Sequence, residues 1–336
     1  MRGGITQVAQ IQCLAAGVGV GMVVDNATKS VIVFDATTDT VVGTVAIGAG
    51  PVDGDCAMTA DGTRGFATDF SNRIWVIDLT TSPPSLASGP NPIPIANPGE
   101  DTAISPDGHF LLVCGSNSYT PVSVIDIATQ KQIRTFSLGS DCTSVEVLRD
   151  GSVLTTSFTT RRVLRLTIDS AGNLTDTGEV LFLGSNPLNA YGAPGATAGF
   201  VVSPSSNALQ SFTIPGLTPV DTRRLSGLGG GVSGLVHPAG DRIYVRSSDG
   251  AVDAFTYNPI TGALGATPVF SIPTASAGSY YGIDQMALTP DGNKLYVPQP
   301  HALVVYDAST GDVLTSITHP ALVQPTGVCF ATAGPQ

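Results

Sequence analysis

The chain repeats one pattern seven times: a tight turn bearing Gly or Asp between two short apolar runs, followed by a third run. Clear copies read TADGTRGFATDF, SPDGHFLLVCGS, LRDGSVLTTSF and TPDGNKLYVPQP, with turn acids at Asp61, Asp107, Asp150 and Asp291. Weaker copies fit at Ala196, Ala239 and near Ala333. The period is roughly 45 residues, the length of a four-stranded propeller blade. The repeat therefore predicts an all-β, seven-bladed β-propeller of four-stranded antiparallel blades, with six or eight blades as alternatives.

The composition agrees with short strands joined by many turns. Charged residues make up only 12% of the chain, while Gly (39) and Pro (24) are abundant. Gly supplies positive φ and Pro presets the turn geometry that such strands need. Val, Ile and Thr fill the runs between turns, as half-buried pleated positions prefer.

We predict one propeller domain over residues 1–336, whose ring closes where the two chain ends meet. The first blade combines residues 5–49 with residues 325–333, so that N- and C-terminal strands pair and leave no open sheet edge. Residues 5–14 either pair at this seam or replace the C-terminal strand. The other blades are predicted at residues 50–97, 98–139, 140–184, 185–226, 227–275 and 276–324.

The charge excludes some partners. The net charge is −11 with only 15 Lys and Arg residues, and nucleic-acid binding needs a basic footprint. The same balance disfavours an anionic membrane surface, and no stretch is long and apolar enough to span a bilayer. A small neutral or weakly polar molecule is the expected ligand, with a protein partner on one face as a further candidate.

Cysteines and sequons favour a secreted or periplasmic protein. The five cysteines fit neither a zinc pattern nor a CxxC pair. A Cys13–Cys329 disulfide would join the chain ends, Cys114 with Cys142 is a second candidate pair, and buried thiols are the alternative. Asn26 and Asn173 begin N-glycosylation sequons in predicted loops.

Two segments carry a family resemblance. SPDGHFLLVCGSNSYTPVSVIDIATQKQIRTFSLG and TPDGNKLYVPQPHALVVYDASTGDVLTSI resemble the blade repeats of YVTN-type propellers. That class is similar to the seven-bladed lactonase and carboxymuconate-cyclase group. The resemblance covers most of the chain but consists of structural repeat positions. It implies the fold strongly and the activity only weakly, because one fold hosts many functions.

Ligands of propellers usually bind where the innermost strands open on one face, and the repeat places carboxylates there. These candidate catalytic residues are Asp55, Glu100, Asp101 and Asp284, joined by His319 as a proton shuttle. The four carboxylates would act as general acid and base if crowding separates their pKa values. Alternatively, they bind a divalent cation through oxygen, or they only accept hydrogen bonds from loop amides.

Further polar residues are predicted in loops of the same face. Tyrosine rings there would wall an apolar ligand while their hydroxyls donate, although ordinary loop packing explains them equally well. The candidate substrate-binding residues are Tyr119, Arg161, Tyr191, Tyr280, Tyr281, Gln285 and His301. His109 and His237 align with the opposite face and are given no role, and Trp75 is expected in the core.

Two classes of function remain open. No GxSxG, P-loop, HExxH, dinucleotide or CxxCH motif occurs in the sequence. The resemblance implies a cofactor-independent ring-opening or ring-closing enzyme, lactonase- or cyclase-like and including pericyclic cyclisation, that acts at the central funnel. No cofactor is expected, with a divalent cation as the exception. The alternative is a non-catalytic scaffold that binds a protein or glycan on its top face.

Overall fold

The turns of each repeat are stabilised locally, because turn side chains accept hydrogen bonds from backbone N–H groups of the same turn. Asp61 Oδ1 accepts the backbone N–H of Thr63 at 3.0 Å, and Gly62 between them has a φ of 67°. That left-handed conformation favours glycine. The computed structural model describes residues 19–48, 54–69, 71–115, 121–276 and 285–331.

Seven antiparallel sheets result, each ordered from its innermost to its outermost strand. Blade one contains Pro325–Phe330 (β29), Val20–Asp25 (β1), Ser30–Asp35 (β2) and Thr40–Ala46 (β3). Blade two contains Cys56–Met58 (β4), Arg64–Thr68 (β5), Arg73–Asp78 (β6) and an outer edge split into Ser85–Leu86 (β7) and Ile93–Pro94 (β8). Blade three contains Asp101–Ile104 (β9), Phe110–Cys114 (β10), Val122–Asp126 (β11) and Lys131–Phe136 (β12).

The remaining blades follow the same order without interruption along the chain. Blade four contains Ser144–Val147 (β13), Ser152–Ser157 (β14), Arg162–Ile168 (β15) and Leu174–Phe182 (β16). Blade five contains Ala190–Gly192 (β17), Ala198–Val201 (β18), Ala208–Thr213 (β19) and Pro219–Arg224 (β20). Blade six contains Gly231–Val236 (β21), Arg242–Ser247 (β22), Ala251–Thr256 (β23) and Phe270–Pro273 (β24). Blade seven contains Ala287–Leu288 (β25), Lys294–Gln299 (β26), Ala302–Asp307 (β27) and Val313–Ile317 (β28).

The sheets form a ring, because the first strands of neighbouring blades contact one another. The seven-bladed propeller predicted from the repeat is confirmed. The connections between blades and the turns between second and third strands lie on one face, which we call the top face.

The hydrophobic core lies between blades. Among the described residues, one large apolar cluster occupies each of the seven blade junctions. At the junction of blades seven and one, the ring of Phe34 lies 5.2 Å from Tyr296 and 5.5 Å from Phe330. Burying one such ring stabilises the fold by roughly 2–3 kcal/mol. Trp75 is 8% exposed in the cluster between blades one and two, which confirms its predicted core position.

Polar bonds repeat at the junctions as well. In three junctions a cation at the start of the second strand donates to a backbone carbonyl of the next blade. These bonds run from Arg64 to Ile127 (3.2 Å), from Arg242 to Ala308 (2.9 Å) and from Lys294 to Ala36 (2.7 Å). Four aspartates that end third strands accept backbone N–H groups two or three residues further on; they are Asp35, Asp78, Asp126 and Asp307.

The ring closes at blade one, where β29 pairs antiparallel with β1 and places Cys329 opposite Met22. This confirms the predicted pairing of the chain ends. The predicted Cys13–Cys329 disulfide is wrong, because β29 also lies against the first strand of blade two and Cys329 bonds Cys56 there. Cys13 and residues 5–14 lie outside the described residues. The predicted Cys114–Cys142 disulfide is present and joins blade three to the connection that leads into blade four.

The described residues contain no helix long and apolar enough to cross a membrane. Asn173 is exposed in the hairpin between β15 and β16, and its side-chain amide donates to Asp169 Oδ2 at 2.8 Å. Asn26 is half-buried in the turn between β1 and β2. Glycosylation at either position stays a prediction.

Candidate functional site

The predicted funnel mouth is the ring where the first strands begin. Asp55 lies in this ring and is fully buried. Its Oδ2 atom accepts hydrogen bonds from the backbone N–H of Thr102 at 3.1 Å and from the Thr102 hydroxyl at 2.7 Å. Because Thr102 belongs to β9, Asp55 joins blade two to blade three.

The same bond recurs around the mouth. Asp101 Oδ2 accepts the N–H of Val145 at 2.8 Å and so joins blade three to blade four. Ser233 Oγ accepts the N–H of Gln285 at 3.0 Å and joins blade six to blade seven. Of the interpretations left open by the sequence, these contacts support the one in which mouth residues accept hydrogen bonds from backbone amides. A catalytic role for Asp55 and Asp101 stays a prediction.

The mouth carboxylates also bear on metal binding. Glu100 precedes Asp101 and is 2% exposed. Within residues 19–48, 54–69, 71–115, 121–276 and 285–331, no three His, Cys, Asp or Glu side chains form a group that could hold a metal ion. Asp284 lies outside these ranges, so a cation site built from all four carboxylates stays a prediction.

The predicted substrate-binding residues are dispersed. Arg161 is exposed in the turn between β14 and β15, with a φ of 55°. The ring of Tyr191 stacks on Phe200 with centroids 5.2 Å apart, within the core between blades five and six. Gln285 is buried at the start of blade seven. Predicted residues that lie outside the described part of the chain are Tyr119, Tyr280 and Tyr281.

His301 and His319 meet on the top face in one cleft of about 320 Å³. We call it the blade-seven cleft; it is lined by His301, Thr318, His319, Pro320, Leu322 and Val323. His301 is exposed in the turn between β26 and β27, and its backbone N–H donates to the Val323 carbonyl at 3.2 Å. The structure thus places a predicted catalytic residue beside a predicted substrate-binding residue.

A backbone contact assigns the tautomer of His319. The N–H of Ala321 donates to His319 Nδ1 at 3.1 Å. Since Nδ1 accepts this bond, the neutral ring carries its hydrogen on Nε2. His319 therefore presents an N–H donor, which suits it to stabilise a developing oxyanion. The role of His319 as a proton shuttle stays a prediction.

Asp141 is another buried carboxylate of this face, and it accepts hydrogen bonds from the turn between β14 and β15. Asp141 is 2% exposed and accepts the Ser157 hydroxyl at 2.6 Å and the Phe158 N–H at 2.8 Å. Burial alone would raise its pKa, but these bonds, together with those from Thr159, hold the pKa below its usual value. Asp141 is thus a permanent anion that organises the turn between β14 and β15.

Arg246 was not singled out from the sequence. It faces Ser233 across strands β21 and β22, at the level of the mouth, and it is 3% exposed. Its guanidinium donates to the carbonyls of Pro298 (2.9 Å) and Gln285 (3.2 Å), and it forms no ion pair with a carboxylate among the described residues. Burial lowers its pKa to about 10, so it stays charged at neutral pH. Its lowered pKa makes Arg246 a candidate functional residue, although its carbonyl partners also give it a structural role at the junction of blades six and seven.

The other two histidines have structural surroundings. His237 Nδ1 accepts the Ala239 N–H at 3.1 Å, and its Nε2 lies 3.1 Å from the Gly292 carbonyl in the next blade. His109 is exposed beside Asp107, at a distance of 3.4 Å. His237 thus shares the Nδ1 contact of His319, but its Nε2 faces a backbone carbonyl.

Comparisons with known proteins establish the fold. No family model matches the chain, and no curated protein matches it. Among solved structures it is similar to a functionally unknown protein from Desulfotomaculum acetoxidans, at 21% identity and a TM-score of 0.80, covering 94% of this chain and 99% of that one. A candidate 6-phosphogluconolactonase from Bacteroides uniformis has 17% identity and a TM-score of 0.74, with 94% and 100% covered.

A third similar structure is the periplasmic gluconolactonase PpgL of Pseudomonas aeruginosa, at 16% identity and a TM-score of 0.71, with 94% and 99% covered. At such identities the likeness shows a shared seven-bladed propeller. The lactonase descriptions belong to those two proteins.

Proposed function

We propose that this protein is a lactonase-like enzyme that opens the ring of a small lactone on the top face of the propeller. The observation that carries the proposal is the His319 Nε2–H group, whose position is set by the Ala321 N–H, in a cleft that also holds His301. The volume of about 320 Å³ suits a small-molecule site. The fold shared with two proteins described as lactonases supports the same reaction class.

The chemistry follows from the two imidazoles. In ring opening, water adds to the lactone carbonyl carbon, the ring C–O bond breaks, and the ring oxygen takes a proton. His319 Nε2–H would donate to the carbonyl oxygen as it becomes negative. His301, exposed in the same cleft, would take the proton of the attacking water, because imidazole exchanges protons near neutral pH. Ring closure, as in a cyclase, would use the same groups in reverse.

The residues that line the cleft indicate the kind of ligand, and the disulfides indicate the compartment. Apart from the histidines, the cleft is lined by Thr, Pro, Leu and Val, which fits a neutral or weakly polar molecule. Hydrolysis needs no redox cofactor, and a divalent cation, if used, would bind the mouth carboxylates. Two disulfides favour an oxidising compartment, so we place the protein in the periplasm or outside the cell.

The test is acid release from a panel of γ- and δ-lactones, followed at constant pH with and without EDTA. In H319N the asparagine Oδ1 can still accept the Ala321 N–H, whereas the Nε2–H donor is lost. We expect kcat to fall by roughly 100-fold, as for removal of an oxyanion donor. H301A should also slow turnover, while H109A, on the opposite face, should leave it unchanged.

Equal activity of H319N and wild type would overturn this assignment of the site. If no lactone is turned over, and the top face instead retains a protein or glycan, the scaffold function is correct.

A further inference from the structure

The connection from blade seven to blade one carries His319, and a buried carboxylate of blade one holds it. Asp25 is fully buried at the end of β1. Its Oδ2 atom accepts the backbone N–H groups of Val323 and Gln324, each at 2.7 Å. These donors lie nearly 300 positions further along the chain, so the contact exists only once the ring has closed.

Thr28 links the same carboxylate to the backbone beside His319. Its N–H donates to Asp25 Oδ1 at 2.8 Å, and its hydroxyl lies 3.0 Å from that oxygen. The hydroxyl is also 3.0 Å from the carbonyl of Ala321, the residue whose N–H binds His319 Nδ1. A continuous chain of contacts therefore runs from Asp25 through Thr28 and Ala321 to the imidazole.

We infer that Asp25 and Thr28 are positioning residues that fix the tautomer and the direction of the His319 ring. Asp25 holds one end of the connection, and Thr28 holds the carbonyl of Ala321, the residue whose own N–H donates to Nδ1. By fixing Ala321 they would keep its N–H on Nδ1 and leave Nε2 to carry the hydrogen. The effect of this network on catalysis rests on the proposed function. Its effect on the His319 tautomer does not depend on that function.

A turn in blade three has the same local hydrogen bonds as the Asp25–Thr28 turn and serves as a comparison. Asp126 and Thr129 in blade three have the same spacing and the same local bonds, with the Thr129 N–H at 2.7 Å and its hydroxyl at 2.8 Å from Asp126 Oδ1. Thr28 and Thr129 are both exposed, but among the described residues only Thr28 is also hydrogen-bonded to the connection that carries His319. T129V is therefore a matched control for T28V, since both changes remove one turn hydroxyl.

The experiment records ¹⁵N–¹H spectra of the histidine rings in the full-length protein, with the His319 signals assigned by their loss in H319N. Wild type and T129V should show an unprotonated Nδ1 and a protonated Nε2. T28V should show a mixture of both tautomers, T28S should restore the wild-type spectrum, and D25N should shift the populations in the same direction. On a lactone that is turned over, T28V should lower kcat about 3- to 10-fold with a smaller change in KM.

A T28V spectrum identical to wild type in a folded protein would overturn the inference. Thermal unfolding of each variant establishes that it is folded. If the tautomer shifts but no lactone is opened, the positioning role stands and the proposed function fails. If lactones are opened with an unchanged T28V tautomer, the proposed function stands and the positioning role fails.

Discussion

One carboxylate oxygen of Asp55 accepts both the backbone N–H and the hydroxyl of Thr102, a residue 47 positions later, about one repeat length away. Asp101 and Val145 repeat the relationship across 44 positions. Each of these carboxylates binds the first strand of the next blade. The mouth of the channel is therefore built from the bonds that hold the ring together.

Removal of the Asp55 carboxylate should therefore destabilise the ring. D55A leaves the buried Thr102 hydroxyl without this acceptor, whereas the Thr102 N–H keeps its bond to Asp101 Oδ1 at 2.9 Å, so we expect a loss of roughly 1–3 kcal/mol in the free energy of unfolding. Urea titration followed by the fluorescence of Trp75, the single tryptophan, measures it. D78A, which removes the acceptor of an exposed turn, should cost about 1 kcal/mol or less. An unchanged urea midpoint for D55A, combined with lost turnover, would restore the catalytic interpretation of Asp55.

Asp141 should contribute to acid sensitivity. Its folded-state pKa lies below the unfolded value, so its contribution is complete above about pH 4–5 and is lost as the pH falls through the folded pKa. D141N should cost roughly 2–3 kcal/mol at pH 7, because hydrogen bonds to a charged acceptor are lost. The difference between D141N and wild type should shrink between pH 4 and pH 2, as urea unfolding at several pH values would show. D150N, at an exposed turn acid, is the control, and a difference that stays constant down to pH 2 would contradict this account.

The two disulfides should differ in their contributions. Cys56–Cys329 closes a separation of 273 residues and Cys114–Cys142 one of 28. Chain entropy alone gives about 5 kcal/mol for the longer loop and roughly 3–4 kcal/mol for the shorter one. C56S/C329S should therefore unfold at a lower urea concentration than C114S/C142S. Equal midpoints would show that strand pairing between β1 and β29 closes the ring without help from the disulfide.

The fold was predictable because its repeated turns are formed by residues that are neighbours in the sequence. Each turn acid binds an N–H two residues on, as Asp61 binds Thr63, so the sequence repeat reports the turn directly. Pairing of β1 with β29 follows from the need to close the ring. The partner of Cys329 was not predictable, since it depends on which neighbour β29 faces after closure.

The site was only partly predictable for the same reason. Repeat alignment places His301 and His319 on the top face, but their common cleft depends on how the last connection crosses it. Arg246 carried a signal that alignment of the second strands would have found. The fifth positions of five other second strands, and the residue directly after the four-residue strand β18, are all uncharged; they are Val24, Thr68, Cys114, Thr156, Pro298 and Val202.

Arg246 provides the sharpest contrast with Asp55, because both are buried at the level of the mouth. Asp55 Oδ2 accepts the Thr102 hydroxyl and shares the Thr102 N–H with Asp101 Oδ1, whereas Arg246 donates to backbone carbonyls and forms no ion pair with a carboxylate among the described residues. R246M removes the desolvation cost of a buried charge, which offsets the loss of donors to the Pro298 and Gln285 carbonyls. We therefore expect R246M to change the free energy of unfolding by about 1 kcal/mol or less.

Turnover is a separate test, because Arg246 is buried and does not line the blade-seven cleft. We expect R246M to leave kcat/KM for lactones unchanged, as measured by acid release on the same panel. A tenfold loss that R246K partly restores would instead place the reaction at the mouth, where a fixed cation stabilises negative charge that develops on a ligand oxygen. A stability loss above about 3 kcal/mol in R246M would instead make Arg246 a clamp between blades six and seven. Since D55A and R246M alter the same level of the ring, a stability loss in D55A alone would show that the buried carboxylate, and not the buried cation, holds the mouth together.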